Sequence, residues 1–209
     1  VIVGLSAEGD SSLSAKFIKA GANDFLKKPF YHEEFHCRVI HNLEAQEMLV
    51  KIRNLASIDP LTGLKNRRSL FDEGERLFHR SSREVSLAML DLDHFKSIND
   101  TFGHLVGDEI LKMVGSEIQD AFPGVMSCRF GGEEFCLFAE INGETMRNLL
   151  ETFLTRLRCK EFTDAKISLT FSVGLCSQPK TTFEGMIKMA DQFLYEAKRL
   201  GRDQIVSDK

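Results

Sequence analysis

Two acidic clusters in this 209-residue chain are equipped for chemistry. The first is Asp91-Leu92-Asp93, followed by His94-Phe95-Lys96 and Asn99-Asp100. Residues two apart on a β-strand project from the same face, so Asp91 and Asp93 would point together. Two carboxylates at a strand end can hold a hard divalent cation. Mg²⁺ commonly takes one or two carboxylates plus water and substrate phosphates, so a donor set this sparse suits a nucleotide–metal complex. Taken alone, Asp-x-Asp is more often a solvated acidic turn. The second cluster is Gly131-Gly132-Glu133-Glu134-Phe135. Its glycines permit a tight turn and close approach of a ligand to the backbone. Adjacent Glu133 and Glu134 repel unless a cation or a basic group neutralises them. A metal bridging Asp91 and a hairpin glutamate would relieve that repulsion and create a phosphate site. Taken alone, this segment is more often an ordinary hairpin.

The elements that must position these residues follow from periodicity. Residues 85–91 read as a strand ending in acid. Residues 125–130 and 134–138 read as hairpin strands turned by Gly131-Gly132. Residues 66–79, 107–121, 143–159 and 182–200 read as helices, the second with Ile110, Leu111, Val114 and Ile118 on one side and the last stopped by Gly201. Residues 167–175 alternate as a strand, and 204–206 add an edge strand. Alternating strands and helices indicate a layered α/β or α+β sheet covered by helices. Upstream, residues 1–5 read as a buried strand. A helix with Leu13, Phe17 and Ile18 closes at Gly21, and Phe25-Leu26 lies in a second strand ended by Lys28-Pro29. Phe35, Val39, Leu43, Leu49 or Val50, Ile52 and Leu55 recur at helical spacing, which predicts a helix over 32–56 of about 37 Å. A helix of that length suits a connection between domains or a partner helix; the alternative is two shorter helices with a break. Ser81-Ser82-Arg83-Glu84 reads as a polar loop.

Hydrophobic residues make up 43% and charged residues 28% of the chain, a globular rather than disordered composition. The length corresponds to roughly 1.4 domains. A net charge of −4 offers no global nucleic-acid or membrane footprint, and no apolar run approaches the roughly 18 residues of a membrane span. Five cysteines without a C-x-x-C pair argue against a disulfide framework or a zinc site and for a reducing cytoplasm. Cys128 and Cys136 read as strand packing residues. The first residue is Val1 inside an apolar strand, which suggests a chain that begins within a domain.

Arg129-Phe130-Gly131-Gly132-Glu133-Glu134-Phe135 resembles the motif of the GGDEF family of diguanylate cyclases in its GGEEF form. Three further segments resemble that family in order. Asp59-Pro60-Leu61-Thr62-Gly63-Leu64-Lys65-Asn66-Arg67-Arg68 is similar to its opening motif. Asp91 to Lys96, with Asn99-Asp100, Gly103-His104 and Gly107-Asp108, is similar to its metal and guanine segment. Ala190-Asp191, Leu194-Tyr195-Glu196-Ala197-Lys198 and Gly201-Arg202-Asp203 resemble its closing motif. The resemblance covers residues 57–207. It implies an α+β fold, a cyclase/polymerase palm-like central sheet flanked by helices. It also implies condensation of two GTP into cyclic di-GMP with release of two pyrophosphates. One domain holds one GTP, so a homodimer is implied.

By matching position, Asp91, the Leu92 carbonyl, Glu133 and Glu134 would serve Mg²⁺ (or Mn²⁺). Glu133 is the candidate base for the 3′-hydroxyl and Glu134 assists. Asn99 and Asp108 match the guanine-reading pair, whose acceptors suit the N1–H and 2-amino edge that adenine lacks. The backbone of His94 and Phe95, with Lys96, Lys198 and Arg202, would contact phosphates. The ordinary alternative for Lys198 and Arg202 is a cation pair at a helix C-terminus. His104 is either a buried structural histidine or a substrate contact, and Arg129 orients the hairpin. One departure stands out. Many family members carry Arg-x-x-Asp five residues before Gly-Gly, a product-binding inhibitory site, but this chain has Phe122-Pro123-Gly124-Val125 there.

Residues 1–45 resemble the last part of a response-regulator receiver domain. Ser6 matches its switch hydroxyl, Ala20 to Phe30 match its AGAxDxLxKP segment, and Lys28 matches the phosphoryl-contacting lysine, with Lys28-Pro29 a candidate cis peptide. The resemblance implies three segments: 1–45 receiver-like, 46–56 helical linker and 57–209 cyclase domain. It also implies an upstream sensor kinase as partner and a phospho-accepting Asp upstream of residue 1. Segment 1–30 is then expected to be loosely held or packed against a neighbour. The alternatives to an active cyclase are a non-catalytic GGDEF module that binds GTP or cyclic di-GMP, and a structural dimerisation unit.

Overall fold

The structure is a computed structural model that describes residues 1–7, 11–55, 57–81, 83–177 and 182–208. Ser82 and the side chains of Leu13, Val50 and Leu55 lie outside the described residues. The chain divides into two units, Val1–Ala56 and Ser57–Lys209.

In the first unit, β1 (Val3–Ser6) pairs in parallel with β2 (Asp24–Lys27), and α1 (Ser11–Lys19) makes the crossover. Gly4 is needed here because a Cβ would fall 2.9 Å from the Phe17 ring. A long helix, α2 (His32–Leu55), follows the cis Lys28-Pro29 peptide without a break. Its Arg38 pairs with Asp24 at 3.1 Å, tying the helix to β2. Among the described residues of this unit only Gly4 and Leu26 are buried, and Met48, Leu49 and Ile52 on α2 are each more than half exposed.

The second unit is an α+β sandwich around a six-stranded mixed sheet of order β3-β5-β6-β4-β7-β8. Its elements are β3 (Lys65–Asn66), α3 (Arg67–Arg80), β4 (Ser86–Leu92), α4 (Phe95–Phe102), α5 (His104–Ala121), β5 (Met126–Gly131), β6 (Glu134–Ala139), α6 (Gly143–Arg158), β7 (Phe171–Cys176), α7 (Phe183–Arg199) and β8 (Ile205–Ser207). Strand β4 lies between antiparallel β6 and β7, and all of its residues are buried. The period of two splits its side chains between two cores. Ala88, Leu90 and Leu92 join Ile110, Val114, Leu150 and Phe153 under α5 and α6. Leu87 and Met89 join Leu70, Phe183, Ala190 and Leu194 under α3 and α7. Asp91 therefore continues the row that faces α7. That helix sits tight on the sheet: a Cβ on Gly174 would lie 2.0 Å from the Ala190 carbonyl.

Two local expectations are corrected, and two elements were not anticipated. Residues 167–170 are not strand. Ile167 makes only an isolated bridge to Phe162, and β7 starts at Phe171. Helix α4 was not legible in the periodicity. The hairpin turn is Gly132-Glu133 rather than Gly131-Gly132, because Gly131 still pairs with Glu134 after a register shift between Arg129 and Gly131. Short β3 carried no strand signal. Cys128 and Cys136 sit opposite each other on β5 and β6, fully buried, as packing residues.

Candidate active site

The end of β4 and the β5–β6 hairpin meet through strand register. Asp91 stands opposite Glu134, and the Leu92 amide donates to the Glu133 carbonyl at 3.2 Å. All four proposed donors thus come from two adjoining strands and the turn beside them: Asp91 and Leu92 on β4, Glu133 in the turn and Glu134 on β6. Asp91 is 7% exposed, which excludes the solvated acidic turn. Burial pushes its carboxyl above the ordinary range. Lys198 opposes that shift, and the charges of Glu133 and Asp93 reinforce it. Burial also raises the Glu134 carboxyl, with the Asp91 charge next in effect. Such an oxygen-rich, charge-crowded cluster is the environment a hard divalent cation relieves, so the residues present fit one. Among the described residues, however, no three His, Cys, Asp or Glu side chains converge on one point. Instead, Lys198 of α7 neutralises Asp91, its Nζ 2.7 Å from Oδ2.

Asp93 takes a different part from its neighbour. It lies just past β4, and its carboxylate accepts from Ser172 Oγ at 2.7 Å, Thr170 Oγ1 at 2.9 Å and the Asp203 amide at 3.1 Å. Ser172 is the β7 partner of Asp91, so both carboxylates do project to one face. Arg202 approaches Asp93 at 4.0 Å. This tie spans more than a hundred residues, so only its closing Gly201-Arg202-Asp203 string hinted at it.

His94 opens α4 in the left-handed region (φ 60°) and provides no side-chain cap. The first-turn amides of Phe95 and Lys96 thus lack a capping side chain, the arrangement a helix N-terminus offers to phosphate. His94 and Lys96 are exposed, whereas the Phe95 ring is buried in the core. Asn99 lies further along α4, and its Oδ1 is buried with no hydrogen-bond partner. Asp108 lies on α5, which packs on α4, and is exposed. An orphaned acceptor near an open carboxylate fits a ligand with adjacent donors. His104 is exposed, which removes the reading of it as a buried structural histidine.

The hairpin is braced from outside. Arg129 donates from Nε and Nη2 to the Gly132 carbonyl at 2.9 and 2.8 Å, and from Nη1 to Asp59 at 3.3 Å. Asp59 also accepts from the Thr62 amide and hydroxyl. The sequence had placed Arg129 as a brace but missed Asp59, whose signal was its place in the opening motif. Beside Glu134 opens a cleft of about 660 Å³ lined by Asp191, Tyr195, Lys198 and Arg199. It reaches Lys198 but not Asn99 or Asp108.

Residues 56–204 match the family described as diguanylate cyclase, GGDEF domain. The chain is 34% identical over 187 residues to diguanylate cyclase VdcA of Vibrio cholerae, covering 85% of this chain and 54% of VdcA. It is 31% identical over 216 residues to the response regulator PleD of Caulobacter vibrioides, covering 94% and 47%. The crystal structure of the coiled coil and GGDEF domain of DgcB from Caulobacter crescentus in complex with c-di-GMP superposes with a TM-score of 0.74 at 27% identity, covering 84% of this chain and 98% of that one. The chain spans no more than about half the length of the curated relatives it matches first.

Proposed function

The chain belongs to the diguanylate cyclase GGDEF domain family, and from that premise we propose that it condenses two GTP into cyclic di-GMP and two pyrophosphates as a homodimer. The observation that carries this reading is the register that sets Asp91 opposite Glu134 with the Leu92 amide on the Glu133 carbonyl. Asp91, the Leu92 carbonyl, Glu133 and Glu134 would hold Mg²⁺ or Mn²⁺. That cation would supply charge neutralisation at the phosphates and at the attacking oxygen.

The chain's own groups account for the rest. Asn99 Oδ1, the buried acceptor without a partner, takes a guanine N–H, and the open Asp108 carboxylate takes the remaining donors. Adenine has no N1–H or 2-amino group to offer there, which favours GTP over ATP. The uncapped amides after His94, with Lys96, bind the polyphosphate. Lys198 balances the Asp91 charge and, once released, reaches a phosphate together with Arg202. Glu133 accepts the proton of a 3′-hydroxyl. That oxygen attacks the α-phosphorus of the other nucleotide, and the α–β bridging oxygen leaves with pyrophosphate. Two such transfers close the ring.

Each domain holds one nucleotide, so two copies must face each other. The exposed Met48, Leu49 and Ile52 of α2 supply an apolar pairing surface, and the DgcB relative carries a coiled coil with its GGDEF domain. Residues 1–45 form the closing part of a receiver and 46–56 a linker, a reading supported by the similarity to the response regulator PleD. An upstream sensor kinase would act through that receiver, in the cytoplasm. Among the described residues, no helix is long and apolar enough to cross a membrane. The test is incubation with GTP and Mg²⁺ over a range of protein concentrations. Cyclic di-GMP formed at a specific activity that rises with concentration supports the reading; GTP bound but never converted in an enforced dimer replaces it with a non-catalytic module.

A further inference from the structure

We propose that Asp93 and Arg158 together form a clamp that presents Arg202 to the polyphosphate of the bound nucleotide; this rests on the nucleotide-binding reading above. Arg202 sits in a run of three left-handed residues, Gly201, Arg202 and Asp203, with φ of 117°, 67° and 47°. Side-chain-bearing residues rarely adopt that region, and two in succession persist only where surrounding contacts fix them. Those contacts come from three sides. The Arg202 amide donates to the Ala197 carbonyl at 3.0 Å, fastening the turn to the end of α7. The Asp203 amide donates to Asp93 Oδ2 at 3.1 Å, fastening it to the end of β4. Arg158, from α6, grips both Asp203 carboxylate oxygens through Nε at 2.9 Å and the Asp203 carbonyl through Nη2 at 3.1 Å.

The Asp93 carboxylate is wholly buried yet carries bonds from Thr170, Ser172 and the Asp203 amide, with the Arg202 guanidinium at 4.0 Å. A buried carboxylate with so many partners is rigid. It also sits two residues from Asp91, on the same face of the sheet. The clamp therefore fixes the backbone from which the Arg202 side chain springs relative to the proposed cation-holding strand. Among the described residues Arg202 pairs with no carboxylate other than Asp93, which leaves its remaining N–H groups free to point at an anion. Asp93 and Arg158 are positioning residues that act through Arg202. Arg158 contacts none of the groups placed on the nucleotide.

The test is equilibrium binding of α,β-methylene GTP, which cannot release pyrophosphate, and of GMP, in Mg²⁺. The proteins are the wild type, Arg158→Ala, Arg202→Ala and the double variant. Arg158→Ala and Arg202→Ala are each expected to weaken the triphosphate about tenfold, the worth of one charge-assisted hydrogen bond, and to leave GMP within about twofold. The double variant should bind no more weakly than Arg202→Ala alone. Where Arg158→Ala lowers the yield of folded protein, Asp203→Asn is the second arm with the same expectation. An unchanged triphosphate-to-GMP ratio in Arg158→Ala, multiplicative losses in the double variant, or a wild type that does not prefer the triphosphate would each overturn the clamp. Binding needs no turnover. Absent cyclic di-GMP formation would refute the proposed reaction and leave this test intact, whereas an unchanged ratio in a protein that converts GTP refutes the clamp alone.

Discussion

Gly107 on α5 stands so close to Asn99 on α4 that a Cβ at residue 107 would fall 1.9 Å from Asn99 Oδ1 and 3.0 Å from its Cγ. The glycine therefore holds open the place where the orphaned amide oxygen points. Gly107→Ala should turn the Asn99 amide away with little loss of fold, since a Cβ there meets mainly a side chain that can rotate. Loss of a hydrogen bond worth about 1 kcal/mol predicts roughly a fivefold weaker GTP affinity, with ATP affinity little changed. Competition binding of the two nucleotides checks this. Wild-type GTP preference in the variant would separate Asn99 from guanine recognition.

The Asp59–Arg129 pair predicts a pH dependence. Burial pushes the Asp59 carboxyl up, but bonds from the Thr62 hydroxyl and amide and the Arg129 guanidinium outweigh it and hold the group below its usual range. A carboxyl depressed in the folded state adds stability above its unfolded pKa, and that stability is lost as pH falls through the lower folded value. Asp59→Asn should thus cost about 1–2 kcal/mol at neutral pH, a cost that fades as acid protonates Asp59 in the wild type. Because Arg129 also holds the Gly132 carbonyl, kcat should fall more than KM rises. Urea melts between pH 7 and pH 3 measure the first effect. A stability difference that stays constant across that range would count against it.

Much of this site was legible from the chain alone, for identifiable reasons. The period of two placed Asp91 and Asp93 on one face, and apolar runs bounded by acid and by Gly131-Gly132 marked β4 and β6 as strands. What failed were features set by distant contacts. Helix α4 has eight residues and opens at His94 without a side-chain cap, so it offered no start signal. The two glycines suggested a turn between themselves, but the bulge after Arg129 moved it to Gly132-Glu133. The two carboxylates of Asp-x-Asp looked alike in sequence. Bonds to Thr170, Ser172 and Asp203, 77 to 110 residues away, turn Asp93 into an anchor, while Asp91 faces Lys198.

The two positions where an inhibitory Arg-x-x-Asp would carry its charges are Phe122 and Val125, both packed against the core. Phe122 is 2% exposed and meets Phe153 edge-on at 5.1 Å. With no charge in that window, product cannot be held by bidentate pairing there. Weak or absent feedback is expected when cyclic di-GMP is titrated into steady-state turnover. Strong non-competitive inhibition at low micromolar product would contradict it.

Helix α2 leaves Met48, Leu49 and Ile52 uncovered. If these side chains pair two copies, Met48→Glu with Ile52→Glu should shift sedimentation toward monomer and lower specific activity at least tenfold at low protein concentration. The loss should shrink as concentration rises, as mass action requires. Equal loss at every concentration would place the defect outside pairing.

The most direct measurement compares wild type with Glu133→Ala for cyclic di-GMP and pyrophosphate formed from GTP and Mg²⁺. The wild type should form two pyrophosphates per cyclic di-GMP. In the variant, the lost base and donor are worth several kcal/mol, so the rate should fall about 10³-fold or more while the protein stays folded. A Glu133→Ala protein that makes cyclic di-GMP at the wild-type rate would contradict that role of Glu133.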